Sequence, residues 1–214
     1  MNKVAKVAKT AAGQLVPDKE RIEMKVKKLH KDAVLPQRAH DDDAGYDLTA
    51  INDGDIKVIP TDKDKKTWRM LYIEYKTGLA IEPPVGYHIE LVARSSVSKT
   101  DLILANCTAI GDQGYRGEYK LRFKCPIEAH RTIWAKSEEE AIERFKRPMS
   151  EIKRYKAGDK MGQMLIRKTE IMEIQEVSDL SDTIRGEGGF GSTDTDKTDV
   201  ALISGNPVEY RSPC

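Results

Sequence analysis

RMLYIEYKTGLAIEPPVGYHIELVA, residues 69–93, is the stretch on which the fold turns. Two runs rich in Leu, Ile, Tyr and Val, RMLYIEYKTGLAI and YHIELVA, are separated by the turn-forming Pro83-Pro84-Val85-Gly86, the composition and punctuation of β-strands. The pattern continues outward. IKVIP (56–60) precedes it, and LILANCTAI (102–110), EYKLRFK (118–124), GQMLIRKTEI (162–171) and EIQEV (173–177) follow. Upstream, in IEMKVKKL (22–29), Ile22, Met24 and Val26 alternate with charged residues at the period of a half-buried strand. Many short strands at close spacing, with few helical patterns between them, predict an all-β barrel or jelly roll rather than βαβ units.

One segment breaks this rhythm. In AKSEEEAIERFKRP (135–148), Ser137 and Glu140 form a capping box, Ala141, Ile142 and Phe145 share a helical face, and Lys146 and Arg147 precede a terminating Pro148. A short amphipathic helix is expected there. The organisation follows: residues 1–21 as a flexible N-terminal arm, 22–180 as one β domain with a helical insert at about 126–157, and 181–214 as a C-terminal arm. DTDKTD (194–199) in that arm has no periodicity and reads as a solvated linker.

Composition narrows the classes of function. Of 214 residues, 33% are charged, yet 36 basic against 35 acidic residues leave a formal charge of +1, so no global field selects nucleic acid or an anionic membrane. No apolar stretch approaches the ~18 residues that span a bilayer. Lys3, Lys6 and Lys9 interrupt any secretory h-region. Three cysteines, at 107, 125 and 214, form no C-x-x-C pair and suggest neither a disulfide framework nor a zinc site. A cytoplasmic protein is expected.

Three segments carry chemistry weakly when taken singly. RGEGGFGST (185–193) has the glycine density and terminal hydroxyls of a loop that wraps phosphate, but a flexible glycine turn is the commoner meaning. ARSSVSKT (93–100) closes a strand and offers Arg94, Ser95 and Ser96 at the start of a short helix, an anion seat or an ordinary cap. GDQGYRGEY (111–119) places an acid and a tyrosine around Gly114 and Gly117, consistent with a tight hairpin.

Their order is more telling. DAGYDL (43–48), ARSS (93–96), N-x5-D-x2-YRGE (106–118), GDKMGQ (158–163) and RGEGGFGST (185–193) together resemble the five ordered motifs of the trimeric dUTPases, from about Met24 to Thr193. The resemblance implies a homotrimer of jelly-roll-like (β-clip) subunits with active sites shared between subunits, hydrolysing dUTP to dUMP and pyrophosphate. It makes Asp112 the general base that activates water, and Tyr115 the ring that packs on deoxyribose. Asn106, with backbone groups near Gly111 and Lys120, reads the uracil edge. Arg94, Ser95, Ser96 and Gln163 match phosphate-contacting positions. In the fifth motif Phe190 stacks on uracil, Arg185 contacts phosphate, and Gly191, Ser192 and Thr193 cap the γ-phosphate. Mg2+ is held mainly by phosphate oxygens and water. Asp47 acts indirectly, through water near that ion or by orienting Arg94, or is purely structural.

Three positions depart from the motifs. Gly111 stands where an aliphatic residue is usual, suggesting a looser turn; Lys160 replaces the common arginine and Gly162 an alanine. Two other readings remain. In the related dCTP deaminases a catalytic glutamate lies ten residues after the motif aspartate; here that residue is Arg122, which cannot act as a base. Some phage members carry an insert that contacts regulatory proteins, so the 126–157 segment, with Ile133, Trp134 and Phe145, is either a protein-binding module or a decorated surface loop.

Overall fold

A computed structural model describes residues 22–128 and 130–188, together with the backbone of two short strands nearer the N-terminus. Those two, β1 (Ala8–Lys9) and β2 (Leu15–Val16), form an antiparallel ladder. The strands that follow are β3 (Lys25–Lys28), β4 (Tyr46–Thr49), β5 (Asp55–Pro60), β6 (Thr67–Lys76), β7 (Leu79–Glu82) and β8 (Tyr87–Ala93). A 3-10 turn at Ser95–Lys99 leads to β9 (Ile103–Leu104), β10 (Thr108–Gly111), β11 (Lys120–Lys124) and β12 (Thr132–Trp134). Helix α1 (Glu138–Met149) and β13 (Lys160–Lys168) complete the set.

The expected all-β architecture is present. A four-stranded antiparallel sheet runs β10-β8-β13-β4, and a five-stranded sheet is built on β6. Ten residues long, β6 pairs with β5 along one edge. Its other edge is shared, with β12 against Thr67–Arg69 and β11 against Ile73–Lys76. Leu48, Ile89, Leu91 and Met164 from the first sheet and Ile73, Tyr75, Leu121 and Phe123 from the second merge in one apolar core. Edge-on aromatic contacts of Tyr75 with Phe123 (5.7 Å) and with Tyr155 (5.9 Å) stiffen its centre.

Three local expectations need correction. LILANCTAI is two strands rather than one, broken at Cys107, whose φ of 52° turns the chain. EIQEV forms no strand, and Ile174 is 89% exposed. Pro148 lies inside the last turn of α1 instead of ending it, and the chain leaves the helix at Ser150, whose N–H bonds Lys146 O and Arg147 O.

The helix N-terminus forms as expected, with Ser137 Oγ accepting from Glu140 N at 3.3 Å. The reciprocal bond falls one residue earlier, where Glu140 Oε2 accepts from Lys136 N at 2.8 Å. The 126–157 segment is no loose decoration. Its β12 covers an edge of β6, Ala135 and Ala141 pack on Trp68, and Phe145, Met149 and Tyr155 enter the main core. By contact, the chain divides after Ile171, and residues 172–188 form a separate unit without strand or helix.

Candidate active site

The four-stranded sheet gathers three of the motifs. Asp47 on β4 is in register with Gln163 on β13, which faces Val92 on β8, and Arg94 leaves the end of β8. At that end of the sheet Asp47 is only 6% exposed. Arg94 Nε and Lys160 Nζ each lie 2.8 Å from one of its oxygens, and Gln163 Nε2 donates at 3.4 Å. The Arg94 Nε–H is not aimed along a hydrogen bond, so that contact is one of charge. Burial pushes the Asp47 carboxyl up, but the bonds from Lys160 and Gln163 and the charges of Arg94 and Lys160 outweigh it and hold the group below its usual range. Ser95 is exposed on the 3-10 turn, and the Ser96 hydroxyl is buried without a hydrogen-bond partner among the described residues.

The third motif forms a cleft instead of a tight hairpin. β10 pairs only with β8 and β11 with β6 and β9, so the two strands belong to different sheets and part around a cleft of about 440 Å³. Asn106, Gly111, Asp112, Tyr115 and Lys120 all line it. β10 is the last strand of its sheet, so its outer backbone N–H and C=O groups have no partner strand among the described residues, and its Ala109, Ile110 and Gly111 line this cleft. Such groups are fixed donors and acceptors for the edge of a planar base. Asp112 is exposed at the turn after β10, where its carbonyl accepts from Tyr115 N at 3.0 Å. Tyr115 Oη donates to Glu118 O at 3.0 Å, leaving the ring half-exposed.

The departures from the motifs have packing causes. A Cβ on Gly111 would stand 2.5 Å from the Tyr119 ring, and one on Gly162 would stand 2.3 Å from Leu121 Cδ2. Both glycines make room for larger side chains at the start of β11, so the turn at Gly111 is filled rather than loose. Lys160 supplies a single charge contact to Asp47 where arginine would present a planar fork.

Glu74 escaped the sequence reading. It is 5% exposed on β6, with Arg122 Nε at 2.9 Å and Lys120 Nζ at 3.4 Å. Burial again pushes the carboxyl up, and the Arg122 bond and the Lys120 charge bring the net shift below the usual value. The available signal was a lone acid flanked by Ile73 and Tyr75 in an apolar run. Arg122 lines the cleft and lies 4.6 Å over the Tyr72 ring, so the position a deaminase would give to its glutamate carries a fixed cation.

The fifth motif lies in the other unit. Arg185 Nε donates to Gly188 O at 2.7 Å within a turn over Thr183–Gly188. Phe190, Gly191, Ser192 and Thr193 lie outside the described residues. Among the described residues no three His, Cys, Asp or Glu side chains gather to hold a metal ion, and no helix is long and apolar enough to cross a membrane.

Comparison with known proteins settles the lineage. The deoxyuridine 5'-triphosphate nucleotidohydrolase of Gloeothece citriformis is 32% identical over 178 residues, covering 80% of this chain and 97% of that protein. Its counterpart from Clostridioides difficile is 33% identical over 171 residues, 79% of this chain and 96% of that one. The chain belongs to the dUTPase family. It hydrolyses dUTP to dUMP and pyrophosphate, which keeps uracil out of DNA and supplies dUMP for thymidylate synthesis. Among solved structures, the dUTPase of Staphylococcus bacteriophage 80alpha with a dUTP analogue aligns with a TM-score of 0.54 and 26% identity, over 79% of this chain and 97% of that one. No protein-family profile matches. A regulatory module in place of an enzyme, and a deaminase, are not favoured for this chain.

Proposed function

We propose that Asp112 is the general base of dUTP hydrolysis in this chain. The observation that carries this is its exposed carboxylate at the mouth of a cleft lined also by Asn106, Gly111, Tyr115 and Lys120. Asp112 accepts a proton from water as the water oxygen bonds to the α-phosphorus; the bridging P–O bond to the β-phosphate breaks and pyrophosphate leaves. Asn106 and the backbone at Gly111 and Lys120 read the uracil edge, where a mismatched base leaves buried groups unpaired at ~1–3 kcal/mol each. The Tyr115 ring takes the deoxyribose face.

Arg94, Ser95, Ser96 and Gln163 orient the phosphates, and Asp47 orients Arg94 and Gln163 in turn. Both Asp47 oxygens already face cations, and no carboxylate cluster is found among the described residues. This donor set fits Mg2+ that would be carried on substrate phosphates and water, with Asp47 acting on it only indirectly. Bound there, the ion neutralises phosphate charge. The sites are shared in a homotrimer in the cytoplasm, and Arg185, Phe190, Gly191, Ser192 and Thr193 close over the nucleotide and expel water.

A regulatory protein is a further partner on this reading. The 80alpha phage dUTPases control transfer of virulence genes by a proto-oncogenic G protein-like mechanism. In this chain the 126–157 segment presents Trp134, 48% exposed beneath the Arg144 guanidinium.

Asp112→Asn tests the central assignment. It should lower kcat by about 10³-fold while the affinity for a non-hydrolysable α,β-imido analogue of dUTP changes less than about threefold. Retained turnover removes Asp112 from its role.

A further inference from the structure

Beneath the turn that carries Asp112 a glycine faces a large buried ring. Gly111 is buried, and a Cβ there would meet Tyr119 Cε1 and its hydroxyl at 2.5 Å. Tyr119 is 2% exposed and lines the cleft. Its backbone is held on both sides, with N donating to Leu79 O at 2.8 Å and O accepting from Thr77 Oγ at 2.6 Å. The Tyr115 ring meets it edge-on at 5.4 Å, and Tyr115 N closes the turn onto Asp112 O. Gly111 and the Tyr115 ring therefore both lie against the buried Tyr119 ring, and Asp112 stands between them in the same turn, directly after Gly111.

The Tyr119 hydroxyl is buried without a hydrogen-bond partner among the described residues. Burial pushes it up to about 12, so it stays protonated. An unpaired buried hydroxyl is a cost to folding, which leaves the ring, not the hydroxyl, as what this position contributes.

We propose that Tyr119 is a positioning residue for Asp112, its ring filling the hollow left by Gly111 and fixing where the carboxylate stands against the α-phosphorus. The proposal rests on the assignment of Asp112 as base. Misplacing a reacting group by about 1 Å costs ~10²-fold in rate, and a cavity beneath a turn permits such a shift. Tyr115 is also held by its bond to Glu118 O and its contact with Gly117. Nucleotide affinity therefore depends on Tyr119 less than turnover does.

The test uses the full chain, measuring kcat on dUTP, Kd for the α,β-imido analogue, and Tm. Tyr119→Ala should lower kcat by about 10- to 100-fold, with Kd moving less than about threefold. The conservative Tyr119→Phe should restore kcat and raise Tm by about 2–4 °C by removing the unpaired hydroxyl. Gly111→Val should also lose activity, and Gly111→Val combined with Tyr119→Leu should regain at least about tenfold of that loss through restored packing. Parent-like kcat in Tyr119→Ala overturns the proposal. So does a loss in Tyr119→Phe equal to that in Tyr119→Ala, or a double variant no better than Gly111→Val. Asp112→Asn, run alongside, separates the two levels: turnover surviving there refutes the base assignment, whereas its loss with an unaffected Tyr119→Ala refutes only the role of Tyr119.

Discussion

Asp47 on β4 and Glu74 on β6 are both carboxylates about nine-tenths removed from water, 6% and 5% exposed, and each is clamped by one arginine and one lysine. Their partners differ in origin. Arg94, Lys160 and Gln163 reach Asp47 from β8 and β13, so one carboxylate ties together three strands and three motifs. Lys120 and Arg122 reach Glu74 from a single neighbouring strand, Arg122 in direct register with it across β6–β11 and Lys120 diagonally from its place opposite Lys76. Asp47 is a hub joining residues from three strands, whereas Glu74 braces one wall of the cleft through Lys120 and Arg122. A buried carboxylate surrounded by cations is thus used twice, but only Asp47 ties together more than two strands.

If this contrast is right, Asp47→Ala is the more damaging change. It leaves two cations without their anion, and because the Arg94 side chain is 28% exposed and that of Lys160 47%, water offsets part of the ~3–5 kcal/mol that breaking a fully buried pair costs. Arg94 and Gln163 lose their common anchor together. A fall of about 10²- to 10³-fold in kcat/KM for dUTP is expected alongside the stability loss in urea unfolding.

Glu74→Gln should cost less, about 1–3 kcal/mol. The Arg122 side chain is 53% exposed and that of Lys120 33%, so water takes over part of what the carboxylate supplied. With Asp112 and Asn106 on other elements, kcat/KM should fall less than about tenfold. Equal damage to turnover from the two substitutions would dissolve the distinction between hub and brace.

Acid sharpens it further. Both carboxyls are lowered from their ordinary values in the folded chain. Each therefore adds stability that is complete above its unfolded pKa, about 4, and is lost as pH falls below that toward the folded value. Asp47→Asn and Glu74→Gln should each flatten the stability-against-pH curve below about pH 4 and leave its shape near pH 7 unchanged, read by urea unfolding across pH.

The same pair shows what a sequence discloses. Asp47 was legible because it sits in a motif with a fixed order relative to Arg94 and Gln163. Glu74 was not, because its partners lie 46 and 48 residues away and meet it only through the register of β6 with β11. The strand rhythm from β5 to β11 and the capped helix follow from local period and local caps. What the period could not disclose is which edge each strand meets: that β10 and β11 part into a cleft, or that β12 and α1 close over β5 and β6. Gly111 was conspicuous, but its cause, Tyr119, lies across the turn and becomes visible only once the backbone is folded.

The smallest effect probes the hub most finely. Lys160 keeps the charge of the usual arginine but meets Asp47 Oδ2 with one nitrogen, while Oδ1 is already shared by Arg94 and Gln163. Lys160→Arg offers a planar fork where only one carboxylate oxygen is free to receive it, so a bidentate pair cannot form without displacing Arg94 or Gln163. The Lys160 side chain is 47% exposed, and an exposed pair contributes only ~0.2–1 kcal/mol. Stability should therefore change by less than about 0.5 kcal/mol and kcat/KM by less than about threefold. A gain well beyond that would mean that the fork is accommodated and that the hub is looser than two 2.8 Å contacts imply.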